Sequence, residues 1–191
     1  MAALVKYLIS LAIGLAIALP QVAFGLALAD SNPDKGRSYQ STSLAPDAID
    51  ALRRKVLVQC GLQIDTSNNV LPWYFHFEYG RALLDAGDAS QAVIQLNQSI
   101  DLRPEPRARK RTYGMWFLDY LPYFELAEAH AMLDNWPCAE HAMQLSQSTG
   151  EIDLGRIEPQ RIQALQKRID SHIDEKGSCN IEDYKDAPQL Q

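Results

Sequence analysis

Cysteine and histidine are scarce in this chain, with three of the first and four of the second in 191 residues. None of them falls at metal-binding spacing, since CxxC, HxxxH and HExxH are all missing. His76, His130, His141 and His172 therefore read as packed or surface residues, and neither a metal nor a cofactor is expected. A GxSxG elbow, a glycine-rich phosphate loop and a local Cys/His pairing are missing too, so no catalytic residue is named. A non-catalytic role is the expectation, and an exported enzyme with a dispersed active site is one alternative. Positive charge is short: 18 Lys and Arg face 24 Asp and Glu, a formal net charge of -6. That balance favours solubility and argues against nucleic acid as a partner. Strand-like alternation is lacking as well, and the periodicity from Pro46 onward is helical, so the fold class expected is all-α.

One long apolar run is present, and it comes first. Residues 1–29 carry Lys6 alone, then LISLAIGLAIAL, Pro20 and an ending in Ala27, Leu28 and Ala29. This is the pattern of a secretory signal peptide cut after Ala29, or after Gly25, and it implies a periplasmic or secreted protein. The alternative is an uncleaved anchor that holds a membrane-tethered accessory subunit, because residues 8–29 are about long enough to span a bilayer. No cysteine follows either cut site, which argues against a lipoprotein. Residues 30–45 are polar and turn-rich and read as a flexible linker, the domain proper spanning 46–176 and a tail 177–191.

A first helix is expected from Pro46 to a stop at Gly61, and a loop ended by Pro72 follows. In the segment 73–106 two helical patterns meet at Ala86, Gly87 and Asp88. Gly80, Ala92, Leu96, Ser99 and Pro104 stand at successive spacings of 12, 4, 3 and 5. On these residues the segment resembles a tetratricopeptide repeat, the helix-turn-helix unit of about 34 residues. It departs from the usual pattern at His76, Tyr79, Leu83 and Ser99. A weaker copy covers 120–153, where Ala127, Ala139, Met143 and Ser146 repeat the 12, 4 and 3 spacing and Glu151 replaces the closing proline. The apolar stripe Ile157, Ile162, Leu165, Ile169 and Ile173 then reads as a capping helix, which completes a short helical-hairpin solenoid.

The resemblance implies an exported bacterial protein of this family whose first repeat helices line a concave groove for peptides or partner helices. Carried onto this chain, the groove comprises Tyr74, Phe77, Glu78, Arg81 and Asp85 from the first repeat, with Leu121, Phe124, Glu125, Glu128 and Met132 from the second. An aromatic and acidic groove of this kind implies an apolar or basic protein segment as ligand, unless the cap helix or the insertion fills it. The polarity of the repeats also puts Cys138 and Cys179 at one end of the stack and Cys60 at the other. Cys138 with Cys179 is then the expected disulfide and Cys60 a buried small residue, three free thiols being the other possibility.

The two repeats start 47 residues apart, and the excess over one unit is the insertion 107–119, RARKRTYGMWFLD. With DYLPY after it, the insertion resembles linkers of the form Y-G-x-x-F-x-D-Y-x-P that precede a repeat in some bacterial members of the family. The preferred reading is a short helix or helical extension packing Met115, Trp116, Phe117 and Leu118 inward as a wedge, with Asp119 capping the next helix. The five cations from Arg103 to Arg111 would then suit the end of the preceding helix. The alternatives are an exposed adhesive edge and a basic-aromatic segment, 107–118, that touches a membrane.

Overall fold

A computed structural model of the chain describes residues 41–62, 70–113, 115–172 and 178–179. The signal peptide or anchor, most of the linker and nearly all of the tail lie outside the described residues, as does Ile173. The protein is mainly helical, with six α-helices and one two-stranded sheet among the described residues.

α1 (Pro46–Gln59) begins at a proline in its first turn, where the missing N–H costs nothing. It ends where Gly61 takes φ 67°, with the Leu62 and Gly61 N–H groups donating back to the Leu57 and Val58 carbonyls. α2 (Trp73–Asp85) and α3 (Ala89–Leu102) form a tight antiparallel hairpin. A Cβ at Gly80 would stand 2.8 Å from Leu96 Cγ, so the absence of a side chain there lets the two helices approach. Gly87, at φ 91°, closes α2, and Asp88 caps α3 by accepting from the Gln91 N–H. The same buried Asp88 accepts from the Leu44 N–H and ties down the segment ahead of α1.

α4 (Pro122–Met132) and α5 (Trp136–Ser148) repeat this turn chemistry. The Asn135 N–H donates to the His130 carbonyl, Asp134 takes the left-handed position at φ 54°, and Asn135 caps α5 by accepting from the Cys138 N–H. Gly80, Ala92, Leu96 and Ser99 of the first hairpin and Ala127, Ala139, Met143 and Ser146 of the second are all buried. Every residue of α4 is buried, because α2, α3, α5 and α6 (Pro159–Asp170) surround it. α6 lays Leu165 and Ile169 against the core, with Ile157 just ahead of it. Cys138 and Cys179, 41 positions apart in sequence, are joined by a disulfide with Cα atoms 4.6 Å apart.

The insertion is not a helix. It forms an antiparallel pair, β1 (Arg107–Arg111) with β2 (Phe117–Tyr120), in the register Arg107 to Tyr120, Lys110 to Leu118 and Arg111 to Phe117. Pro104 and Pro106 end α3 and bar its continuation, so four of the five cations lie on a strand rather than on the last helical turn. Asp119 does not cap α4 either. Glu151, the residue in place of the closing proline, accepts from the Tyr123 and Phe124 N–H groups at 3.2 and 2.9 Å and so caps α4 from a distance in sequence.

Candidate functional site

The residues expected to line one continuous groove divide into two groups. Phe77 and Phe124 are 1% and 0% exposed, and Leu121, Glu125, Glu128 and Met132 are buried with them. These six belong to the core rather than to an open surface, and α4 and α5 are covered by α6. Arg161 of α6 donates to Glu128 from Nε and Nη2 at 3.2 and 2.6 Å, lies 3.6 Å from Glu125, and sits over the Phe124 ring. Arg168 donates to the Ala131 carbonyl and sits over Trp136, which also stacks with the parallel ring of His172. Glu125 and Glu128, expected to line an acidic groove, are thus buried and paired. Bidentate guanidinium geometry makes that burial tolerable.

Arg81 extends the chain of charges to α2, 3.6 Å from Glu125 and 3.3 Å from Glu78. Beyond Glu78 the surface opens. A groove of about 560 Å³ runs between the C-terminal end of α1, the first turns of α2 and the β-hairpin. α1 contributes Val58, Gln59 and Cys60, α2 contributes Tyr74 and Glu78, and the hairpin contributes Thr112, Tyr113, Met115, Trp116, Phe117 and Leu118. Of the expected groove residues only Tyr74 and Glu78 therefore line the open part. Asp85 is exposed at the far end of α2 and does not line it.

The inward wedge is overturned by the same residues. Met115 is 81% and Trp116 66% exposed, with Tyr113 and Phe117 also exposed and Leu118 half-buried. Cross-strand pairing turns them outward: the Thr112 N–H and hydroxyl both donate to the Trp116 carbonyl, closing a turn too tight to fold its side chains under α4. The other aromatics of the stretch point the opposite way. Tyr120 is fully buried against Trp73 and Phe77, and its hydroxyl donates to the Arg103 carbonyl at 2.7 Å. The Tyr123 hydroxyl donates to the Pro104 carbonyl, so the two tyrosines satisfy acceptors that the end of α3 leaves open.

Cys60 is half-buried in the groove wall rather than fully enclosed, and burial, with the Glu78 carboxylate adding to it, pushes its thiol up to about 12. It stays protonated and unreactive. Sequence reasoning missed Val58, and it had the insertion's side chains exposed only in the alternatives of an adhesive edge or a membrane-touching segment. Val58 did carry a signal, an apolar residue one turn after Arg54 on a face that is otherwise charged. Among the described residues no three His, Cys, Asp or Glu side chains converge as metal ligands, and no helix is long and apolar enough to cross a membrane. No family model, no curated protein and no solved structure matches the chain.

Proposed function

We propose that the protein is a non-catalytic interaction module of tetratricopeptide type, exported from the cytoplasm, that docks an apolar segment of a partner protein in the groove between α1, α2 and the hairpin. One observation carries the docking reading. Of the seven large apolar residues exposed among those described, five (Val58, Tyr113, Met115, Trp116 and Phe117) line this one groove. Soluble monomers rarely gather exposed apolar side chains in this way unless they serve an interaction. The repeat reading is supported by the matched turns at Gly87 and Asp134 and by burial of the small residues at the same offsets in both hairpins. Export is supported by the Cys138 and Cys179 disulfide, which belongs in an oxidising compartment.

The test is affinity capture from the native cell envelope with wild-type and Tyr74→Ala/Trp116→Ser baits. A partner held by the wild type and lost from the double variant is the expected result. Equal retention on both baits sinks the reading. Amino-terminal sequencing of the protein from the same fraction checks export, with a start at Asp30 or Leu26 expected.

A further inference from the structure

We infer that the groove takes a protein segment whose bulky apolar anchor is flanked by acidic residues, an inference that rests on the docking reading above. The charge at its rim is opposite to that of the chain. Arg54 and Lys55 are exposed one turn ahead of Val58 on α1 and so share its face. On the hairpin wall Arg107 and Arg109 are exposed, and the Arg109 guanidinium lies 6.0 Å from the centre of the Phe117 ring. Cations therefore flank the apolar lining from two separate elements, in a chain whose formal charge is -6.

Arg109 reaches this position through an unfavourable backbone. Its φ of 49° lies in the left-handed region, which L-residues rarely adopt. The pairing of β1 with β2 is irregular between Arg107 and Lys110, as at a bulge, and bulges re-aim the side chains they carry. The conformation is held from outside: Asp119 accepts from the Arg109 N–H at 2.8 Å and is itself 3.3 Å from Arg156 Nε. Strain held by its surroundings in this way is a mark of functional positions. Here it sets a cation over an exposed aromatic ring at the edge of the groove.

Of the acids that suggested a basic ligand only Glu78 lines the opening. Glu125 and Glu128 are buried against Arg161, and Glu78 is engaged by Arg81. A bilayer surface would meet the tip of the hairpin but leave the space between Val58, Tyr74 and Leu118 unfilled, whereas an inserted side chain fills it. A protein segment is favoured over a membrane for that reason.

The experiment uses the purified protein and two fluorescein-labelled peptides that share a Trp-Leu-Phe centre, one flanked by Asp and Glu and the other by Lys. Fluorescence polarisation is expected to give at least about ten-fold tighter binding of the acidic peptide, about 1.4 kcal/mol. The preference should shrink as salt rises, because rim charges are screened. Lys55→Glu/Arg109→Glu should reverse it, and Trp116→Ser should weaken both peptides with the melting temperature unchanged. Tighter binding of the basic peptide, still dependent on Trp116, overturns the charge inference and leaves the docking reading standing. Loss of Trp116 dependence, or no saturable binding of either peptide, overturns both. Co-sedimentation with phosphatidylglycerol vesicles that is lost in Trp116→Ser, with neither peptide bound, assigns the surface to lipid instead.

Discussion

The two helical hairpins use the same turn and the same small buried residues, yet one presents a surface and the other is sealed. On α2 the sequence Phe77, Glu78 and Arg81 ends at an open groove, whereas on α4 the matching Phe124, Glu125 and Glu128 are fully covered. The difference lies in the element that follows. α6 crosses the second hairpin and delivers Arg161 to its two carboxylates, while the first hairpin is flanked by a strand pair that stands beside it. A position in a helical hairpin therefore acquires its role from what is packed over it.

The largest effect is expected where the sealed half is broken. Arg161→Ala takes the bidentate guanidinium from buried Glu128 and leaves Glu125 with Arg81 alone of its two arginines, and removing one partner of a buried pair costs about 3–5 kcal/mol. Equilibrium urea denaturation should show the midpoint falling steeply. A change under 1 kcal/mol would mean that α6 does not hold the second hairpin closed. Reduction of the Cys138 and Cys179 bridge is next. Releasing a loop of 41 residues should lower stability by about 2–4 kcal/mol, read as a lower melting temperature in dithiothreitol that Cys138→Ser reproduces and does not add to.

The sealed half also carries two buried groups with opposite pH dependence. Burial raises the Glu151 carboxyl from 4.5 to about 7, against the pull of the hydrogen bonds it accepts. Burial lowers His130 from 6.5 to about 4, with the His141 charge assisting. Because the folded value of Glu151 lies above its unfolded one, its contribution is full below about 4.5 and is lost as pH rises through about 7. His130 has the reverse sign: its contribution is full above about 6.5 and is lost as pH falls through about 4. The two trends offset each other across that window. Relative to wild type, Glu151→Gln should become progressively less stable on acidification from pH 7 to 4.5, and His130→Gln progressively more stable. Scanning calorimetry at four pH values checks this, and parallel curves for all three proteins would refute it.

The helices were legible because local chemistry marks them. Pro46 and Pro122 open two helices, Gly61 and Gly87 close two, and Asp88 and Asn135 cap two. The disulfide followed from the direction of each helix in the stack. The strand pair was hidden because Arg107 to Arg111 alternates exposed with half-buried side chains without alternating apolar with polar ones. Its existence depends on pairing across a turn, which periodicity within one segment does not reveal. The sealing of Phe124, Glu125 and Glu128 was hidden for a related reason. Arg161 lies 33 residues from Glu128, and nothing local distinguishes a carboxylate that will meet it from one left in water.

The smallest effect on stability belongs to the open half, and it makes the comparison sharpest. Trp116 and Met115 stand clear of the core, so Trp116→Ser and Met115→Ser should each change folding stability by no more than about 0.5 kcal/mol. Phe124→Ala, by contrast, removes a fully buried ring and should cost about 3–5 kcal/mol. Partner binding should respond in the opposite order, lost in Trp116→Ser and retained by whatever fraction of Phe124→Ala stays folded. That crossing of the two readouts separates a surface kept for recognition from one kept for packing. If Trp116→Ser destabilises the fold as much as Phe124→Ala does, the hairpin aromatics are structural and the groove has no claim to a ligand.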